Sequence, residues 1–161
     1  MTAAVDDRLV ALAAGYPTEE AVRRVRRAAG VPDDETLVEL GRLRAERAFA
    51  ARAGKGLPLS RDARPALERL ASSCRLSLVT RASRREVEFI LGLAGLEGLF
   101  RPVIAVEDVS PSKPAREPWL AAIARVGQLF PGQQLRALAA EDTVVGLRAA
   151  RAAGIASVGV G

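Results

Sequence analysis

Two neighbouring carboxylates, Glu141 and Asp142, follow the apolar run Leu135–Ala140 and precede a small-residue segment, Thr143–Ala153, closed by Gly154. That order reads as a buried strand, an acidic pair at its C-terminal tip, a helix and a further strand. In open α/β sheets the C-terminal strand ends are where ligands bind. Oxygen donors from an acidic pair suit a hard divalent cation such as Mg²⁺. Asp142 can also cap the following helix, and the two roles are compatible. Two other side chains fall at equivalent places. Thr80 ends the run Leu76–Thr80, and Lys113 lies in a Ser-Lys-Pro turn one loop beyond the run Pro102–Val106. In a parallel sheet these sites share one edge. A hydroxyl, an ammonium and a carboxylate-bound divalent cation around one pocket suit a phosphate group. The first two bind its oxygens and the cation neutralises charge that develops during phosphoryl transfer. A helix starting near Ser83 adds backbone N–H groups close to Thr80, and Arg81 joins the phosphate-binding set. Thr80 also reads as a plain strand-end hydroxyl, and Lys113 as a solvated loop lysine.

The chain builds its positive charge from arginine, for of 24 basic residues only Lys55 and Lys113 are lysine. Lys55 lies between Gly54 and Gly56, where chance or flexibility explains it. Lys113 follows an expected strand, where chemistry does.

The elements that must carry these groups alternate. Residues 1–56 read as helical, with Thr18 capping a helix through Ala29 that Gly30 ends. A second helix starts at Asp33 or Asp34, with Leu37, Leu40, Leu43 and Ala48 at helical spacing. The stretch Gly54-Lys55-Gly56-Leu57-Pro58 is a linker-like break. From there helices and short apolar runs alternate. Helix Asp62–Ser72 precedes strand Leu76–Thr80. Ser83 and Glu86 make a capping box for a helix to about Leu93. Strand Pro102–Val106 and helix Glu117–Val126 follow, the helix with Trp119, Leu120, Ile123 and Val126 on one side. Strands separated by helices of this length mean βαβ units, a parallel Rossmann-like sheet and right-handed crossovers.

Size and composition set limits. At 161 residues the chain is one domain, or one with a helical appendage, and it buries roughly two thirds of its unfolded surface. Cys74 is the only cysteine, read as a half-buried thiol, so a reducing, cytoplasmic setting is the default. No window is long enough to span a bilayer. The net charge of +5 invites a nucleic-acid partner. Against it, arginines lie beside acids along the helices, and four Phe, one Tyr and one Trp offer little to stack on bases. Arg23, Arg24, Arg26 and Arg27 read as a solvated helix face.

Three segments resemble the haloacid-dehalogenase-like (HAD) hydrolases, in the phosphoglycolate phosphatase and β-phosphoglucomutase branch. They are Leu76-Ser-Leu-Val-Thr80, the segment from Ser112-Lys-Pro to Ala122, and Ala140-Glu-Asp-Thr through Gly146 to Gly154. The resemblance covers residues 58–161 and implies an α/β core over 57–161, with residues 1–56 in the place of a helical cap. It implies phosphomonoester hydrolysis through an aspartyl-phosphate, with a phosphorylated small molecule as ligand. Thr80 would bind phosphoryl oxygens, Lys113 would pair with the phosphate and the nucleophilic carboxylate, and Glu141 and Asp142 would hold Mg²⁺, Asp142 the more directly.

The family's first motif, a strand ending Asp-x-Asp, has no clear counterpart. Matching Leu9-Val10 to its usual ending puts Asp6 at the acid/base position and Ala4 at the nucleophile. Alanine cannot attack phosphorus, so weak or absent turnover is expected. An N-terminal helix with Asp6 and Asp7 in its first turn is the other reading. In the family that first strand lies between the Thr80 strand and the Glu141 strand. Without it the sheet closes up, the N-terminal residues pair there, or a homodimer or strand-swapped oligomer supplies the strand. A non-catalytic module that binds a phosphorylated ligand or a protein is the alternative.

Overall fold

The computed structural model describes residues 18–32, 34–56 and 59–160. The chain divides into two compact units on either side of the Leu57/Pro58 junction.

The first unit contains α1 (Thr18–Ala28) and α2 (Glu35–Ala53). Thr18 is the first residue of α1 rather than its cap. Gly30 takes φ of +70°, which frees the chain to turn after α1. Asp34 caps α2 by accepting from the Leu37 N–H at 3.0 Å. A Cβ at Gly41 would lie 2.8 Å from Val22 Cγ1, so a glycine here lets α1 and α2 approach closely. Arg23 joins the helices by pairing with Glu19 at 3.0 Å and Glu35 at 2.7 Å. The buried residues of α2 are Val38 and Ala53, whereas Leu37, Leu40 and Leu43 are exposed, so the apolar stripe expected from spacing is not the buried one.

The second unit runs α3 (Ala63–Ala71), β1 (Leu76–Val79), α4 (Arg84–Ala94), β2 (Phe100–Ile104), a 3₁₀ turn (Val106–Asp108), α5 (Glu117–Leu129), β3 (Leu138–Glu141), α6 (Val144–Ala152) and β4 (Ala156–Gly159). This is the α/β order expected, with parallel pairing throughout. Ser83 and Glu86 form the full capping box on α4, and Gly95 ends that helix at φ of +62°. Cys74 is exposed rather than half-buried.

The strands form two parallel pairs, β1 with β2 and β3 with β4. Val79 faces Ile104 in the first pair, and Glu141 faces Gly159 in the second. Among the described residues no ladder joins β1 to β3, so direct closure of the sheet is not what the chain does. Helix α5 spans both halves. Its Ala122 packs with Val79 and Ile104, and its Ile123 packs against Ala139, Ala150 and Ile155. Trp119 touches both clusters, so one aromatic ring carries hydrophobic burial across the seam. Leu120, expected on the same face, is exposed. Among the described residues no helix is long and apolar enough to cross a membrane.

Candidate functional site

Thr80 follows β1 directly. Its N–H donates to Ile104 O at 2.9 Å, which continues the ladder and fixes where the side chain emerges. Its Oγ1 accepts from Ala82 N at 3.1 Å, closing a tight turn. Arg81 lies in that turn, half-buried. Several N–H groups at the start of α4 are already committed, which limits what they offer a ligand. Ser83 N donates to Glu86 Oε2 at 2.8 Å, and Arg84 N donates to both Glu107 carboxylate oxygens at 3.1 Å.

Lys113 is buried, at 8 % exposure, and not a solvated loop residue. Its Nζ donates to Val79 O at 2.9 Å and to Glu141 Oε1 in a very short contact. The ammonium also lies 5.1 Å from the centre of the Trp119 ring, within cation–π range. One lysine therefore links the end of β1, the end of β3 and the helix beneath both. Burying a lysine unpaired would cost several kcal/mol, and this arrangement supplies a carboxylate, a carbonyl and an aromatic face.

Glu141 is the last residue of β3, not the first residue beyond it, and it is buried. Its Oε2 accepts from Thr143 Oγ1 at 3.3 Å. The same hydroxyl accepts from Gly146 N at 3.0 Å, so Thr143, not Asp142, caps α6. A Cβ at position 146 would overlap the Glu141 carboxylate, so the glycine forms the cradle in which that carboxylate lies. Asp142 is exposed.

Thus Lys113 and Glu141 are in contact, while Thr80 and Asp142 each stand one residue from a Lys113 partner, Val79 and Glu141. Asp6 and the residues around it lie outside the described residues. Among the described residues no group of three or more His, Cys, Asp or Glu side chains is arranged to hold a metal ion. Asp142 offers an accessible carboxylate, but both Glu141 oxygens already have partners. A metal ion bound by Glu141 would therefore compete with Lys113 and Thr143 for its oxygens. Asp142 thus remains the accessible carboxylate of the pair, an oxygen donor of the kind a hard divalent cation uses.

A cavity of about 430 Å³ opens on the loop leading into Lys113, lined by Val106, Glu107, Asp108, Val109, Ser110 and Ser112. Sequence reasoning places a Pro-rich loop at Val109–Pro114 but gives Glu107 and Asp108 before it no role. The signal was present: β2 runs into Val-Glu107-Asp108 much as β3 runs into Ala-Glu141-Asp142, a second acidic pair at a strand end.

The family model for haloacid dehalogenase-like hydrolases matches residues 19–154. No curated protein matches the chain significantly. Several solved structures share the fold. The crystal structure of a predicted phosphoglycolate phosphatase from Haemophilus somnus 129PT superposes with a TM-score of 0.72 at 24 % identity, covering 96 % of this chain and 69 % of that one. CbbY from Rhodobacter sphaeroides, solved in complex with phosphate, gives 0.67 at 23 % identity, over 94 % of this chain and 67 % of its own. A Thermotoga maritima protein assigned as a beta-phosphoglucomutase gives 0.63 at 24 % identity, over 94 % and 67 %.

Proposed function

We propose that this chain, which belongs to the haloacid dehalogenase-like hydrolases, binds the phosphate group of a small phosphorylated molecule at the edge shared by Thr80, Lys113 and Asp142. The observation that carries this reading is the bonding of Lys113. An ammonium has three N–H donors. Among the described residues Val79 O and Glu141 take two of them and the Trp119 ring lies 5.1 Å away, so one N–H has no oxygen partner and can serve an incoming oxygen. Thr80 Oγ1 accepts from Ala82 N, so its own proton is available to donate. Two residual donors at one sheet edge, flanked by Arg81, suit an anion. Mg²⁺ would be held by Asp142, water and phosphate oxygens, and would neutralise charge on the phosphoryl group.

The family activity is expected to be phosphomonoester hydrolysis, which by the resemblance needs a carboxylate nucleophile. Among the described residues the carboxylate against Lys113 is Glu141, engaged by Lys113 and Thr143 and packed on Gly146. We therefore read turnover by this chain alone as weak or absent. The same engaged carboxylate favours a second reading, a non-catalytic module that binds a phosphorylated ligand. Residues 1–56 would act as a helical cap that selects the ligand. The N-terminal residues, which lie outside the described residues, or a homodimer or a strand exchanged between copies would supply the position between β1 and β3. A reducing, cytoplasmic setting suits the exposed Cys74 thiol.

Thermal unfolding with inorganic phosphate, with and without Mg²⁺, tests the binding reading, followed by turnover of an aryl phosphate. A phosphate-dependent rise in Tm with little product is expected. No shift at saturating phosphate removes the anion site. Robust turnover abolished by Asp142→Ala removes the argument for impaired catalysis.

A further inference from the structure

We infer that Asp108 is a positioning residue for this anion site, acting through the two loops that deliver Thr80 and Lys113; the inference rests on the phosphate reading above. Asp108 ends the 3₁₀ turn after β2, and its side chain is 16 % exposed. Its Oδ2 accepts from Ala105 N at 2.7 Å and from Arg84 Nη2 at 2.5 Å, and its Oδ1 accepts from Arg125 Nη2 at 3.2 Å. The same two guanidiniums also donate to Val103 O, at 3.3 Å from Arg84 and 3.4 Å from Arg125. Arg84 comes from the first turn of α4 and Arg125 from α5. One carboxylate therefore ties two helices to the end of β2.

What this clamp holds is the local machinery of the site. Val106 N donates to Ala82 O at 3.1 Å, and Ala82 N donates to Thr80 Oγ1 at 3.1 Å. The Thr80 turn is thus stitched to the turn that Asp108 closes. On the other side, the segment Val109–Ser112 runs from Asp108 straight into Lys113, and it lines the cavity described above. Both residual donors of the anion site are set by loops that meet at this aspartate, although Asp108 itself touches neither donor.

Removing its charge has a definite consequence. The Ala105 N–H loses an ionised acceptor, and two guanidiniums directed at the same carbonyl lose their common counter-ion. Charge-assisted bonds of this kind are the strong ones. Glu107 does not substitute, because its carboxylate is exposed and holds the Arg84 N–H. The turn should loosen at Val106 and hand that freedom to Ala82 and Thr80.

The test compares wild type, Asp108→Asn and Asp108→Glu. Amide exchange is read at Val106 and Ala82, and the inorganic phosphate concentration for half-maximal thermal stabilisation is measured beside it. Asp108→Asn is expected to raise exchange at both amides about tenfold or more, and to raise the required phosphate by about tenfold. Asp108→Glu, which keeps the charge, should recover part of each. A phosphate response in Asp108→Asn equal to wild type overturns the inference alone. So does increased exchange spread evenly over β3 and α6, which would mark a merely structural role. A wild type without any phosphate response refutes the anion site itself and the inference with it. Should Asp108→Asn fail to fold, Arg125→Gln removes the Oδ1 contact and the long Val103 O contact while leaving both Oδ2 contacts in place, and its exchange and phosphate response are read against the same outcomes.

Discussion

Adding one methyl group at Gly146 should separate the two charges at the centre of the site. A Cβ there would occupy the space of the Glu141 carboxylate. The glycine is in the first turn of α6, so the backbone cannot yield without unwinding that turn. The carboxylate must swing away and leave Lys113, whose side chain is 7 % exposed, without its counter-ion. Breaking a buried pair from one side costs about 3–5 kcal/mol. Alanine in a helix is better than glycine by about 1 kcal/mol. The expected net loss for Gly146→Ala is therefore ~2–4 kcal/mol, read as a fall in Tm of roughly 5–15 °C and as a lower urea midpoint with unchanged slope. The decisive control is Glu141→Ala. With the carboxylate gone there is nothing to collide with, and Gly146→Ala on that background should stabilise by about 1 kcal/mol. A reversal of sign between the two backgrounds supports the cradle. Equal destabilisation in both, or a neutral single substitution, refutes the reasoning.

Two further outcomes follow from the same geometry. Asp142 is exposed, so Asp142→Asn should leave Tm in buffer unchanged while removing the extra phosphate stabilisation that Mg²⁺ confers; an unaltered Mg²⁺ increment in thermal shift would exclude Asp142 as its ligand. For Asp108, burial opposes ionisation, but the Ala105 N–H with the Arg125 and Arg84 guanidiniums outweighs it and holds the carboxyl below its ordinary value. The unfolded group titrates near 3.9, so this contribution is present above that pH and is lost as pH falls through the lower folded value. The stability difference between wild type and Asp108→Asn, from urea unfolding at stepped pH, should shrink below about pH 4; a difference constant down to pH 2.5 would mean the carboxyl is not held ionised.

Much of the framework could be read from local chemistry. Ser83 and Glu86 satisfy each other's backbone donors within one turn, so the capping box needs no tertiary partner. Gly95 and Gly154 adopt positive φ where a helix must be left, again a local requirement. Strand limits were less legible because a ladder is as long as its partner allows. Leu135 to Ala137 look like strand, but pairing begins only where Leu138 meets Ala156. The β2 run was expected to reach Val106, yet the Val106 N–H leaves the ladder for Ala82 O and the chain turns. On α5 the spacing admitted more than one stripe, and contact with two half-sheets selected Trp119, Ala122 and Ile123 over Leu120.

The site divides along the same line. Residue types and strand ends pointed to Thr80, Lys113, Glu141 and Asp142, and one of only two lysines among arginines was a usable clue. Which acid meets the lysine was not local information. It depends on a missing side chain, since the space that admits the Glu141 carboxylate exists because position 146 has none. Two adjacent acids in sequence thereby acquire different physics. Glu141 turns inward to a buried ammonium and a capping hydroxyl, and Asp142 stays in water. Among the described residues the two half-sheets are joined there by an ion pair and an aromatic ring rather than by a backbone ladder. An ion pair responds to a further charge where a ladder does not, and for that reason a phosphate at the remaining Lys113 N–H should change the stability of the seam as well as fill the site.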